Sequence, residues 1–259
     1  MPFMETVTVR LHYEIEGRED APWLILSNSL GTNLDMWLPQ VPSLLERYRV
    51  LRYDTRGHGQ SSVTPGPYSI EQLAGDVIAL MDHLHIERAH FCGLSLGGMI
   101  GMWLGINRPE RLNRLVLSNT SARMGAPEAY DARIQKVLKE GMEPIVSAVL
   151  DRWFSRDFQR YASAQVTLVR QMLLQTPAEG YAAACAAVRD MDLAAKVAGI
   201  TVPTLVIAGK HDLATPPSDG RTIADQVQGA RYVELNAAHL SNWEVAQSFT
   251  AQVIDFLRN

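Results

Sequence analysis

One stretch, Phe91-Cys92-Gly93-Leu94-Ser95-Leu96-Gly97-Gly98-Met99, constrains this chain more than any other. It contains G-x-S-x-G with Ser95 at the centre. The apolar run Ala89 to Cys92 leads in and predicts a short buried strand. A helical run, Leu96 to Asn107, leads out. A serine on a strand-to-helix turn of this kind is a nucleophile elbow. Gly93 and Gly97 carry no Cβ, so strand and helix can approach closely there. The turn lifts the Ser95 hydroxyl above the sheet edge. It also aims the Leu96 N–H, at the helix N-terminus, at a developing oxyanion. Glycines alone would let any helix pack on a sheet. The nucleophile reading gains its weight from the strand, the helix and two suitable partners downstream.

The flanking sequence alternates strand and helix patterns. Val7 to Glu14 alternates in polarity and predicts a strand of an N-terminal hairpin or meander. Trp23 to Ser27 is a continuous apolar strand suited to burial on both faces, and Arg49 to Tyr53 is the next. An amphipathic stretch, Met36 to Leu45, lies between them, with Asp35 expected to cap it. Ser69 predicts an N-cap ahead of a helix through Leu73, Val77, Leu80 and Leu84. Leu112 to Ser118 is a further strand. From about Ser121 to Arg189 the pattern is helical throughout, punctuated at Pro127, Gly141 to Pro144, Ser155 and Thr176-Pro177. The earlier rhythm returns with a strand at Thr204 to Ala208, a helix at about 218–227, a strand at Arg231 to Leu235, and a closing amphipathic helix through Phe249, Val253 and Leu257. Strands and helices at this spacing predict a mostly parallel sheet covered on both faces. The expected division is a core of 1–120 and 190–259 and an inserted all-helical cap of 121–189.

A serine nucleophile needs a base, and the base needs an orienting acid. Among known triads, one chain order is serine, acid, histidine, with each partner following a strand. Asp212 follows the strand at Thr204 to Ala208, and His239 follows the strand at Arg231 to Leu235. An aspartate in a turn or a histidine in a loop is unremarkable alone. Both in the required order, each just past a strand, make a triad of Ser95, Asp212 and His239. The loop after Ser27 should supply the second oxyanion donor, the Leu30 N–H, beside that of Leu96. Asp54 and His58 sit in a polar loop and are expected to brace it by hydrogen bonds. His83, His85 and His90 lack a shared ligand context and are read as structural, so no metal site and no cofactor are expected.

Composition narrows the remaining classes. The chain has 259 residues, 47% apolar and 20% charged, with net charge -4. No basic run suggests a nucleic-acid surface. No apolar run approaches the ~20 residues that span a bilayer, and no signal-peptide pattern opens the chain. A soluble, cytoplasmic protein is expected. Its two cysteines, Cys92 and Cys185, lack disulfide-framework or metal-site spacing and are read as buried core thiols.

With these residues placed, the sequence resembles the α/β-hydrolase superfamily over essentially its whole length. Within it, the sequence is similar to the 3-oxoadipate enol-lactonases of bacterial aromatic degradation. The phrases that carry the likeness are Asn28-Ser29-Leu30-Gly31-Thr32, Tyr53-Asp54-Thr55-Arg56-Gly57-His58-Gly59, Gly93 to Gly101, and Ala238-His239-Leu240-Ser241-Asn242. Asn-Ser-Leu-Gly-Thr stands where many such hydrolases carry His-Gly. The resemblance implies an α/β-hydrolase fold with a helical cap and a cofactor-free serine hydrolase that opens the enol-lactone to 3-oxoadipate. Its small acidic substrate carries a carboxylate, for which a cap arginine is a natural partner. Arg123, Arg133, Arg152, Arg160, Arg170 and Arg189 are available, and Arg133, on the first cap helix, is the choice here. Trp153 is the candidate aromatic wall. Two further readings stay open. One keeps the triad for a carboxylesterase, a carbon–carbon bond hydrolase or a perhydrolase. The other is a small-molecule receptor on a hydrolase scaffold. Oligomeric state is open as well.

Overall fold

A computed structural model describes residues 2–125 and 127–258. In chain order the strands are β1 (Phe3–Glu5), β2 (Arg10–Glu16), β3 (Trp23–Ser27), β4 (Arg49–Tyr53), β5 (Ala89–Leu94), β6 (Leu112–Ser118), β7 (Thr204–Gly209) and β8 (Arg231–Leu235). The α-helices of the first half are α1 (Val41–Leu45), α2 (Ile70–His83) and α3 (Leu96–Asn107). Between β6 and β7 stand α4 (Pro127–Glu140), α5 (Glu143–Trp153), α6 (Arg156–Tyr161), α7 (Ser163–Gln175) and α8 (Ala178–Asp190). The chain closes with α9 (Pro217–Gln226), α10 (Ser241–Glu244) and α11 (Ala246–Arg258).

The eight strands form one sheet in the order β1-β2-β4-β3-β5-β6-β7-β8. β1 and β2 pair antiparallel, as do β2 and β4; all other neighbours are parallel. Parallel strands need helical crossovers, which cover both faces, and the central strands therefore read as unbroken apolar runs. β5 and β7 are buried at every position. The chain leaves β3 for β4 on one side and enters β5 on the other, so the strand order reverses between β3 and β5. The crevice beyond the carboxyl ends at such a reversal is where ligands of open α/β sheets bind. The loop after β3 and the turn after β5 flank it.

Three local expectations change. The alternation at Thr6 to Val9 is not strand: Thr6 Oγ1 accepts the N–H groups of Thr8 and Val9 and closes the β1–β2 turn, leaving Val7 fully exposed. The amphipathic stretch after Asn33 splits into a 3-10 turn, Leu34–Trp37, and α1, which has Pro42 in its first turn. Asn33, not Asp35, caps that 3-10 turn, accepting from the Asp35 N–H at 3.0 Å. Beyond β6, a break at Ala162 separates α6 from α7 with no proline or glycine to announce it. Ser69 caps α2 as expected, accepting from Gln72 N–H.

Candidate active site

Backbone crowding shapes the turn at Ser95. A Cβ on Gly97 would lie 2.1 Å from the Ser27 carbonyl oxygen, and one on Gly93 would lie 2.1 Å from the Gly97 carbonyl oxygen. No side chain fits at either position. Gly97→Ala should therefore cost about 3 kcal/mol, the upper end for overpacking, seen as a lowered urea midpoint. Ser95 itself adopts φ 57°, ψ -113°, a conformation L-residues rarely hold. Its frame is tied down: Ser95 N–H donates to Ser118 O at 3.0 Å, Thr120 Oγ1 donates to Ser95 O at 2.8 Å, and Gly97 N–H donates to Asn28 O at 2.9 Å. From Ala89 to Met102 every residue is buried except Ser95. The fold presents that one hydroxyl.

His239 and Asp212 meet at the cavity that Ser95 lines. His239 Nδ1 lies 2.8 Å from Asp212 Oδ2, and both side chains are buried. A carboxylate only accepts, so Nδ1 carries the proton and Nε2 is left as the basic nitrogen. Ser95 and His239 line the same cavity, of about 50 Å³, with Ser29, Leu30, Thr215 and Met99. Asp212 is held on every side. Ala214 N–H and Thr215 N–H donate to Oδ1 at 2.7 and 2.9 Å. Thr215 Oγ1 and Asn119 Nδ2 donate to Oδ2, each at 2.9 Å. Burial alone would raise the Asp212 carboxyl. His239 overcomes it by charge and hydrogen bond, aided by Asn119 and the Thr215 N–H, and the carboxyl is held below its ordinary range.

The loop after β3 is braced residue by residue. Ser29 N–H reaches Met36 Sδ at 3.1 Å and Gly31 N–H donates to His58 Nε2 at 3.0 Å. Leu30, between these two committed amides, lines the cavity. Leu96 begins α3, where N–H groups have no intrahelical acceptor. These two amides flank the reversal between β3 and β5. His58 accepts from Gly31, so its Nδ1 donates to Arg56 O at 3.1 Å. Burial pushes its pKa down and favours that neutral form. Asp54 accepts from Leu34 N–H, Gln60 N–H and His12 Nδ1. Both residues brace loops, as their sequence context suggests.

The helices between β6 and β7 supply the far wall. Tyr130 and Arg133 of α4, Val149, Arg152 and Trp153 of α5, and Tyr181 and Val188 of α8 all line the cavity. The cap arginines divide cleanly. Arg123 pairs with Asp192, Arg170 with Glu143, and Arg189 with Asp131 and Asp190. Arg160 stacks over Tyr161, away from the cavity. Arg133 and Arg152 face the cavity, and among the described residues neither has a carboxylate partner within 4 Å. Arg133 sits over the Tyr130 ring, 5.3 Å from its centroid. The same helical segment also holds the cavity's loops: Leu240 N–H donates to Trp153 O at 3.0 Å, and Thr176 Oγ1 to Gly31 O at 3.2 Å.

Sequence reasoning missed Asn119, Thr215 and Ser241. Thr215 had a usable signal, lying three residues beyond an aspartate in a turn. The other two had none locally, because their partners are more than 90 residues away. His90 packs its ring edge on Tyr48, and Cys92 and Cys185 are buried and free. Among the described residues no group of three metal-ligating side chains converges, and no helix is long and apolar enough to cross a membrane.

Comparison with known proteins is consistent from end to end. The family model described as alpha/beta hydrolase fold matches residues 22–246. The chain is 43% identical to 3-oxoadipate enol-lactonase 2 of Acinetobacter baylyi, over 97% of this chain and 95% of that protein. It superposes on the crystal structure of the enol-lactonase from Burkholderia xenovorans LB400 with a TM-score of 0.98 and 49% identity, covering all of both chains. It is 32% identical to a putative carbamate hydrolase, RutD, of Stutzerimonas stutzeri, over 95% of this chain and 96% of that protein.

Proposed function

We propose that this chain, which belongs to the alpha/beta hydrolase family and is a hydrolase, opens the ring of 3-oxoadipate enol-lactone to give 3-oxoadipate. The observation that carries the choice of an acidic substrate is the pair Arg133 and Arg152, cationic, facing the Ser95 cavity and without carboxylate partners among the described residues. A half-buried guanidinium that no protein carboxylate neutralises is a site for one that arrives with the substrate, and its planar fork suits a carboxylate. The small cavity favours a compact substrate over a long acyl chain. The named enol-lactonases at 43% and 49% identity support the same reading. The segment 121–189 acts as a cap domain over a core of 1–120 and 190–259, and the protein works in the cytoplasm on a product of aromatic-acid breakdown.

In this reading Ser95 attacks the lactone carbonyl while His239 Nε2 takes its proton. Asp212 stabilises the imidazolium, and the oxyanion sits between the Leu30 and Leu96 N–H groups. Collapse breaks the ring C–O bond and expels an enolate, a better leaving group than a simple alkoxide. The leaving group stays tethered in the acyl chain and could reclose the ring. The proton that His239 took, delivered to the enolate carbon directly or through solvent, ketonises it, removes that nucleophile and returns His239 to its neutral form. Water activated by His239 then releases the acid and frees Ser95.

The test is Arg133→Met assayed on two substrates. KM for the lactone should rise roughly 10- to 100-fold, the worth of a hydrogen bond to a charged group. A neutral nitrophenyl ester should be handled as before. An equal loss on both would mean that Arg133 supports the cap rather than the carboxylate. The likeness to a putative carbamate hydrolase favours a second reading, hydrolysis of a carbamate by the same residues. Carbamate turnover exceeding that of the lactone would establish it.

A further inference from the structure

We propose that Asn119 is a positioning residue for the carboxylate of Asp212, and that Ser241 fixes the orientation of its amide. The proposal rests on the reading of Ser95, Asp212 and His239 as the triad.

Asn119 directly follows β6. It is 1% exposed and has φ 44°, in the left-handed region that asparagine tolerates better than most residues. Its N–H still donates to Ile207 O of β7 at 2.8 Å, so the turn begins without leaving the sheet. Its side chain then reaches three separate pieces of the site. Nδ2 donates to Asp212 Oδ2 at 2.9 Å and to Ala238 O at 3.2 Å. Oδ1 accepts from Ser241 Oγ at 2.6 Å. A carboxylate and a carbonyl can only accept, so both amide hydrogens are committed and the amide has one possible orientation. Gly209, which ends β7, leaves room for it: a Cβ there would lie 2.9 Å from Nδ2.

The chemistry follows from which oxygen is held. Asp212 Oδ2 is also the acceptor of His239 Nδ1–H. One amide therefore grips the carboxylate at the oxygen that orients the base. It also grips the carbonyl of the residue before that base, and it is locked in turn by the serine two residues after it. The ionisable groups around it are Asp212 and His239; beyond them stands Asp219 of α9, whose carboxyl is raised by burial and then by the charge of Asp212. Losing the amide removes one of the donors that fix Oδ2 and leaves more negative charge facing His239.

The experiment compares Asn119→Gly, Asn119→Asp and Ser241→Ala on the lactone across pH, with urea midpoints measured alongside. Glycine keeps the left-handed backbone without strain and removes the amide. It should lower kcat roughly 10- to 100-fold with KM nearly unchanged, as expected when a hydrogen bond to a charged group is lost. Aspartate is isosteric, tolerates the backbone and places a second carboxylate beside Asp212. It should move the acidic limb of the pH–rate profile to higher pH. Ser241→Ala should cost less, roughly 3- to 10-fold in kcat. Asparagine-like activity and an unmoved limb in both Asn119→Asp and Asn119→Gly would overturn the proposal and leave Asn119 a structural residue. If Asn119→Gly fails to fold, the other two variants decide. A Ser95→Ala variant that still turned over would overturn the triad itself, which is a different failure.

Discussion

Ser95→Ala should lower kcat on the lactone by about 10⁶-fold, the loss expected when a triad nucleophile that works as one unit is removed, while the fold should survive. The size follows from how little else at the site can attack a carbonyl. Cys92, three residues before Ser95, is fully buried, and burial pushes its thiol far above its ordinary pKa. Thr120 and Thr215 spend their hydroxyls on Ser95 O and Asp212 Oδ2. The proposed oxyanion donors, Leu30 and Leu96 N–H, belong to the backbone and survive the substitution, so a residual rate above the uncatalysed one should persist. Survival of the fold follows too. The bonds that hold the turn use the Ser95 N–H and C=O and not its hydroxyl. Steady-state turnover and far-ultraviolet circular dichroism on the same sample check both halves.

Asp212→Asn should lower kcat by about 10⁴-fold, chiefly by unsettling the tautomer of His239. Oδ2 of Asp212 collects donors from His239, Thr215 and Asn119. An amide in that place must either turn its NH₂ toward His239, which puts the wrong nitrogen in the basic role, or turn it toward the backbone donors of Ala214 and Thr215. Neither arrangement satisfies the site. A pH consequence accompanies it. The Asp212 carboxyl is held below its unfolded value, so its contribution to stability is present above the unfolded pKa. That contribution is lost as pH falls through the folded pKa. The stability gap between wild type and Asp212→Asn should therefore be widest near neutrality and close in acid, measured by urea titration at a series of pH values.

How much of this was legible beforehand depended on the range of the interaction. β3, β4, β6 and β8 fall where the sequence places them, because each is a short stretch rich in β-branched, aromatic and leucine residues bounded by turn residues. The positions of Ser95, Asp212 and His239, the residues proposed as the triad, were legible because each follows closely on a strand, and strand ends are local features. At Thr6 to Val9 a side-chain hydrogen bond won over an alternating pattern. At Asn33 the cap came two residues early because a shorter 3-10 turn replaced the start of a helix. The choice among six cap arginines was illegible for a tertiary reason. Arg170 and Arg189 look no different from Arg133 on a helical wheel until Glu143 and Asp131 are seen beside them. Leu240-Ser241-Asn242 read only as a likeness. Its physical content is long-range: Ser241 holds Asn119, and Asn242 donates to Met36 O at 2.9 Å, tying the histidine loop to the segment after the oxyanion loop.

The most direct test of the account is a side-by-side turnover measurement. One reaction follows loss of the ultraviolet absorbance of 3-oxoadipate enol-lactone, a second follows a neutral nitrophenyl ester, and Ser95→Ala is run in both. The account predicts fast lactone opening that vanishes with Ser95, and kcat/KM for the lactone well above that for the ester. Good ester turnover with no action on the lactone would contradict it, leaving the serine hydrolase chemistry in place and removing the acidic lactone as its substrate.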